Sequence, residues 1–154
     1  MRATNNCIHS CQAANGITMS GANVHVRSGS GFTDDNISGG GTLKGLGNLI
    51  IGYNENSTGQ TRTGSHNLVG GSFNIFTSVG GMVFGLYNTL SGEYAAIVSG
   101  DSNTASGVNA SVLAGNLNTA SGLRSTVYGG LNNTAVNMNS YSPIQGGRPT
   151  PSGQ

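Results

Sequence analysis

Asn103-Thr-Ala-Ser-Gly-Val-Asn-Ala-Ser-Val-Leu-Ala-Gly-Asn-Leu117 is followed at once by Asn118-Thr-Ala-Ser-Gly-Leu-Arg-Ser-Thr-Val-Tyr-Gly-Gly-Leu-Asn132, and these two segments decide the architecture. They repeat with a period of 15, and the same frame runs back to Asn88 and forward to Asn133. Upstream the frame is looser. Asn74 stands 14 before Asn88, and Asn54 stands 20 before Asn74, so ENSTGQTRTG at 55–64 reads as a loop inserted in one coil. A fixed period of this size is the mark of a solenoid, in which each repeat buries its apolar face only against its neighbours.

The columns of the repeat carry physical instructions. Ile97, Val112 and Val127 share one position and are followed by Val98, Leu113 and Tyr128, a brief β-prone stretch between small or polar residues. Ala105, Ala120 and Ala135 form a second inward column, and Ala96, Ser111 and Thr126 a third column of small residues that suits a thin core. Gly85, Gly100, Gly115 and Gly130 mark one corner and Gly92, Gly107 and Gly122 another, where the backbone needs positive φ or has no room for a Cβ. Asn88, Asn103, Asn118 and Asn133 open the intervening turn, and a ladder of stacked asparagines there would set the register between coils. The reading is an all-β parallel solenoid of roughly six coils, which at about 4.8 Å per coil makes a rod on the order of 30 Å long.

Composition agrees with this. The 154 residues include 27 glycines, only 7% charged residues and a net charge of +1, so the low apolar content is not joined to the charge excess of a disordered chain. The six basic residues form no cluster, which argues against nucleic acid as a partner and against a polybasic membrane anchor. No apolar run is long enough to span a membrane, and Met1 to Ser20 lacks the apolar stretch of a signal peptide, so no membrane insertion by these residues is expected.

The domain reading is an N-terminal β cap at 1–43, a repeat domain at 44–137 containing the loop at 55–64, and a terminating tail at 138–154. In the cap, alternation of Ile17, Met19, Val24 and Val26 predicts one or two strands that would cover the open end of the solenoid. In the tail, Pro143, Pro149 and Pro151 bar further ladder pairing.

From Asn103 to Gly122, and again from Asn118, the chain resembles the head domains of trimeric autotransporter adhesins, whose coils carry runs such as NTASGxxSxVxGGxxNTASG. The resemblance extends over about Gly45 to Asn137. It implies a left-handed parallel β-roll, a homotrimer, an extracellular or cell-surface location and attachment to a host matrix protein or glycan. The residues supply a separate motive for self-association. Strand alternation turns Val98, Leu113 and Tyr128 outward, with Phe84 and Ile51 near the same place, and an isolated rod would leave that apolar stripe in water.

The expected function is therefore that of a non-enzymatic structural or adhesive module that needs no cofactor. The alternatives are an ice-binding solenoid and a phage-type receptor-binding fibre domain. Cys7, His9 and Cys11 would share one face of a strand and could hold zinc, form a disulfide with His9 uninvolved, or stay as free thiols. Asp34 and Asp35 lie in SGSGFTDDNISGGG, which reads as a solvated loop rather than as a carboxylate pair facing a cleft. His25 and His66 stand beside apolar residues, as hydrogen-bonded strand histidines do. Finally, Thr89 with Ser91, Thr104 with Ser106 and Thr119 with Ser121 repeat a T-x-S spacing. A flat grid of these hydroxyls would order water as an ice-binding surface does. The Asn before and the Gly after instead favour hydroxyls that cap a corner.

Overall fold

A backbone that turns every few residues can keep its buried N–H and C=O groups paired only by bonding to the next turn of the chain. The computed structural model, which describes residues 21, 23–56 and 59–142, shows that arrangement throughout the repeats. The strands in chain order are β1 Leu49–Ile51, β2 Leu68–Ser72, β3 Ile75–Phe76, β4 Met82–Leu86, β5 Thr89–Leu90 and β6 Ala96–Ile97. They continue as β7 Thr104–Ala105, β8 Ser111–Val112, β9 Thr119–Ala120, β10 Thr126–Val127, β11 Thr134–Ala135 and β12 Tyr141–Ser142.

Every pairing is parallel, and the strands sort into two sheets. One runs β1-β2-β4-β6-β8-β10-β12, the other β11-β9-β7-β5-β3. Each full coil contributes one strand to each sheet, giving a parallel β-solenoid of about six turns. The first coil gives no strand to the smaller sheet because the inserted loop takes that place. Arg62 closes the loop by donating to the carbonyls of Asn74 and Glu55. The loop is over by Gly64, whose N–H already bonds to Phe76 of the next coil. At the far end, Tyr141 pairs with Thr126, so the ladder continues past the boundary expected at 137.

Coil length changes from 14 to 15 midway. Met82 pairs with Ala96 at the start of the strand, yet Leu86 bridges Asp101 at its end. One extra residue has therefore entered between Val98 and Gly100, and the corresponding extras are Ala114 and Gly129. Such a bulge leaves its residue outside the ladder while the flanking bonds survive. Val98 still donates to Val112, and Asp101 to Gly115. The five-residue strands β2 and β4 are accordingly cut to two residues in the longer coils.

The expected inward columns are buried. Ile97, Val112 and Val127 are sealed from solvent, as are Ala105 and Ala120, with Ala135 nearly so, and together with Val69, Phe76, Val83 and Leu90 they form one continuous core. The column Ala96, Ser111, Thr126 is displaced by one residue from its expected role. It lies on the outer face and is only part-buried, while the preceding Ala95, Ala110 and Ser125 fill the core. A one-residue shift inverts every side chain of a strand, and a two-residue strand offers too little alternation to reveal the phase.

Both glycine corners have clear causes. Gly85, Gly100, Gly115 and Gly130 have φ between 91° and 109°. At Gly92, Gly107 and Gly122 φ is not in that region. There a Cβ would overlap the carbonyl oxygen of the next coil, at Gly107, Gly122 and Asn137 respectively. Two further corners take left-handed backbone without glycine: Tyr87, Ser102, Leu117 and Asn132 form one column, and Tyr94, Asn109, Arg124 and Asn139 the other. Asparagine tolerates this conformation because its short side chain bonds locally, whereas a long side chain strains it.

The N-terminal segment departs from expectation. Residues 23–43 form no strand; their only regular element is the 3-10 helix Ile37–Gly39. Val24 and Val26 are exposed, and their alternation produces no pairing. Ile17 and Met19, like Cys7, His9, Cys11 and the prolines of the tail, lie outside the described residues.

Arg124 sits at φ 56° between Asn109 and Asn139, both at φ 56°, and its side chain is exposed. Arg124→Asn should therefore raise stability by about 1 kcal/mol, the usual cost of left-handed backbone at a long side chain. Equilibrium urea unfolding of the two chains measures it. An unchanged or lowered midpoint would show that the column carries no such strain.

Candidate functional site

The feature repeated at every coil is the asparagine ladder. The Oδ1 of Asn88 accepts from the backbone N–H of Asn103 at 2.9 Å, that of Asn103 from Asn118 at 2.9 Å, and that of Asn118 from Asn133 at 2.9 Å. The ladder reaches further back than the exact repeats. Asn74 accepts from Asn88 at 3.0 Å and Asn54 from Asn74 at 2.9 Å, across the inserted loop. Each Nδ2 is also satisfied: Asn118 donates to Ala114 and Gly130, Asn88 to Phe84 and Gly100, and Asn103 to Gly115. The contacts run from side chain to the next coil's backbone rather than between side chains. That makes the ladder a structural element, and its members offer no free atom to a ligand.

A second, shorter ladder was not legible beforehand. Asn48 accepts from the N–H of Asn67 at 2.8 Å, and Asn67 from Gly81 at 2.9 Å, at the corner that opens the larger sheet. Gly81 takes that corner in the third coil and Ala95 and Ala110 in the next two, and the ladder stops. The G-x-x-N-L spelling shared by Gly45 to Leu49 and Gly64 to Leu68 is its sequence trace.

The carboxylates of the N-terminal segment serve structure. Asp35 is buried, against the expectation of a solvated loop. It accepts from the Ser28 hydroxyl and from the N–H of Lys44 at 2.9 Å, and Lys44 also donates to Ser65 at 3.1 Å. Hydrogen bonds from Ser28, then Ser65 and the Lys44 amide, hold its carboxyl well below the usual aspartate range, so it stays ionised as an anchor. Asp34 accepts from the N–H of Asn36 at 2.9 Å and so completes a turn. His25 is exposed and on no strand, whereas His66 occupies a left-handed corner and its Nε2 accepts from the N–H of Ser28 at 3.1 Å. These bonds tie residues 28–44 to the first two coils. A pocket of about 740 Å³ opens beside them, lined by Val24, His25, Arg27, Phe32, Leu49 and His66 among others. No Asp or Glu lines it, so it does not assemble a carboxylate pair. Among the described residues no group of three or more His, Cys, Asp or Glu is placed to hold a metal ion.

The hydroxyl positions correct a specific expectation. Thr89, Thr104 and Thr119 do not cap a corner: they open the strands of the smaller sheet and pair in register, Thr89 with Thr104, Thr104 with Thr119, and Thr119 with Thr134. The next residue of each strand is buried, so the threonines face outward, and Ser91, Ser106 and Ser121 are exposed beyond them.

The larger sheet shows a different outer face. Its column Phe84, Val98, Leu113, Tyr128 is apolar, with Val98, Leu113 and Tyr128 exposed by 43%, 39% and 48%. Ile51 is exposed in the first coil, and the Phe84 ring lies over Gly70 in the second. At the neighbouring corner Phe73 stacks on Tyr87 at 4.8 Å, and Leu117 stands exposed. No protein-family model, curated protein or solved structure matches this chain.

Asn103→Ala would orphan the buried N–H of Asn118 and leave the Gly115 carbonyl with only its bond from Asp101, and should cost roughly 1–3 kcal/mol. Thermal and urea unfolding test it; a loss no larger than that of an exposed alanine substitution would deny the ladder its role. Asp35 makes a pH prediction with a definite sign. Its folded pKa is depressed, so its contribution is complete above the ordinary aspartate value of 3.8 and fades only as pH falls through the lower folded value. The amide signal of Lys44, which donates to the Asp35 carboxylate, should hold steady in NMR down through the usual aspartate range. A midpoint at or above that range would contradict the anchor.

Proposed function

We propose that this chain is an extracellular, non-enzymatic structural or adhesive module, a left-handed β-roll that works as a homotrimer joined along the outer face of its larger sheet. The observation that carries the reading is the apolar column Phe84, Val98, Leu113, Tyr128 in four successive coils, with the last three left well exposed in the single chain. A long apolar stripe on a soluble rod marks a contact surface. The corner beside it adds a second cost, since Tyr87 and Leu117 combine left-handed backbone with an exposed apolar side chain. A contact made by those side chains would offset both costs.

Rotational assembly suits the geometry, because each of these coil levels presents an apolar residue at the same place and a closed ring lets each level meet its own copies. The resemblance to adhesin heads favours three copies and a host matrix protein or glycan as the target. A stiff rod of backbone-bonded coils presents its surface without an ordering cost on binding.

Light scattering on the 154-residue chain should give about three times 15.5 kDa. Leu113→Lys, placed in the middle of the column, should shift the particle toward monomer while leaving the β circular dichroism intact. A native chain that stays monomeric would sink the trimer. Failure of the trimer to bind any member of a glycan array or panel of matrix proteins would remove the adhesive part and leave a purely structural role.

A further inference from the structure

The smaller sheet carries an outer surface unlike the larger one. Along the rod Thr89, Thr104, Thr119 and Thr134 stand in one row, held in register strand to strand. Two residues on, Thr77, Ser91, Ser106 and Ser121 form a second row, still in the ladder through their N–H bonds to Leu90, Ala105, Ala120 and Ala135. The result is a grid with steps of about 4.8 Å between coils and about 6.7 Å along the strand.

Three properties narrow what this grid can meet. First, none of these hydroxyls makes a hydrogen bond to another group of the chain among the described residues, so their bonding capacity points outward. Second, neither row contains a charged or aromatic side chain. That removes the means of holding a phosphate or sulfate, and the ring platforms on which sugars and bases stack. Third, the grid is rigid and open. Buried Leu90, Ala105 and Ala120 lie beneath it, a ladder asparagine precedes each threonine of the exact repeats, and β-branching restricts each threonine side chain. No residue of either row lines the pocket beside residues 28–44, so that pocket gives these rows no means of enclosing a small molecule.

A rigid, uncharged, two-dimensional lattice of hydroxyls gains little from any single group, since each bond only replaces one to bulk water. It gains when many of its members bond at once to a partner that is itself a lattice of uncharged donors and acceptors, because neither side loses freedom on contact. Crystalline water is such a partner. We propose that the outer face of the smaller sheet, the Thr89/Thr104/Thr119/Thr134 row with the Thr77/Ser91/Ser106/Ser121 row, binds the surface of ice.

The test uses the full 154-residue chain in a dilute solution from which ice is grown slowly, with the protein content of ice and liquid compared, and with thermal hysteresis measured in parallel. The native chain should be enriched in the ice and should depress the freezing point below the melting point. Thr104→Lys, in the central coil, should abolish both. Ser106→Tyr should do the same by lifting the surface out of plane, and because Ser106 is exposed and its bond to Ala120 is made by the backbone, this second variant decides the matter if the first fails to fold. Glu93→Lys, exposed and outside both rows, should behave as the native chain does. Rejection of the native chain from ice like an ordinary solute would overturn the proposal, as would a folded Thr104→Lys or Ser106→Tyr chain that still partitions into ice.

Discussion

A buried backbone N–H at the corner of each coil has no strand partner, and the whole rod depends on how that group is satisfied. The answer is an amide side chain one coil away. An amide is suited to the task because it accepts and donates at once: Oδ1 takes the next coil's N–H, and Nδ2 returns bonds to carbonyls of its own and the following coil. A carboxylate would carry charge into the interior, and a serine could not span the gap while also donating twice. The exchange fixes the rise between coils at one strand spacing and aligns each corner above the last. The inward valines and the outward threonines inherit their register from it.

What lies away from that corner is free to vary. The change from 14 to 15 residues is absorbed by a bulge at Ser99, Ala114 and Gly129, on the side of the coil where a bond can be skipped without exposing the core. The inserted loop is larger, yet Asn54 still accepts from Asn74, so the ladder passes the insertion unbroken. Loop closure costs grow slowly with length, which is why an insertion at one face is tolerated where a shift at the corner would not be. The shorter Asn48–Asn67 ladder ends at Gly81, which has no side chain to extend it, and beyond that the N–H groups of Ala95 and Ala110 turn back to the carbonyls of Gly92 and Gly107 in their own coil.

Much of this was legible because identical columns repeat. The inward Ile97/Val112/Val127 and Ala105/Ala120/Ala135 columns, the positive-φ glycines and the asparagine ladder all follow from a period that aligns residues of one type. Phase within the coil was harder to read. Ala96, Ser111 and Thr126 read as inward and Thr89, Thr104 and Thr119 as corner residues, both because strands of two residues alternate too briefly to show which member faces in. The asparagine that seemed to mark a turn around each threonine in fact precedes the strand directly. Outside the repeats the reading weakened further. Alternation near Val24 and Val26 gave no strand, since an isolated pattern without a partner ladder has nothing to pair with, and the burial of Asp35 rests on Ser28, Lys44 and Ser65, contacts that no local motif announces.

The two sheets have unlike outer faces for a reason rooted in the coil itself. Residues outward on the larger sheet lie beside the bulge, where coil length varies and side chains as different as Val98, Leu113 and Tyr128 fit. Residues outward on the smaller sheet follow the ladder asparagine immediately, where geometry is the same in every exact repeat and one residue type recurs. Variation suits a packing interface, which needs matched shapes only between copies of itself, while uniformity suits a surface that must meet a lattice. Self-association through the larger sheet consumes none of the hydroxyl positions. It would therefore set several identical grids around one rod, each held as rigidly as the first, and the rod would gain breadth of contact without any change in the coil that makes it.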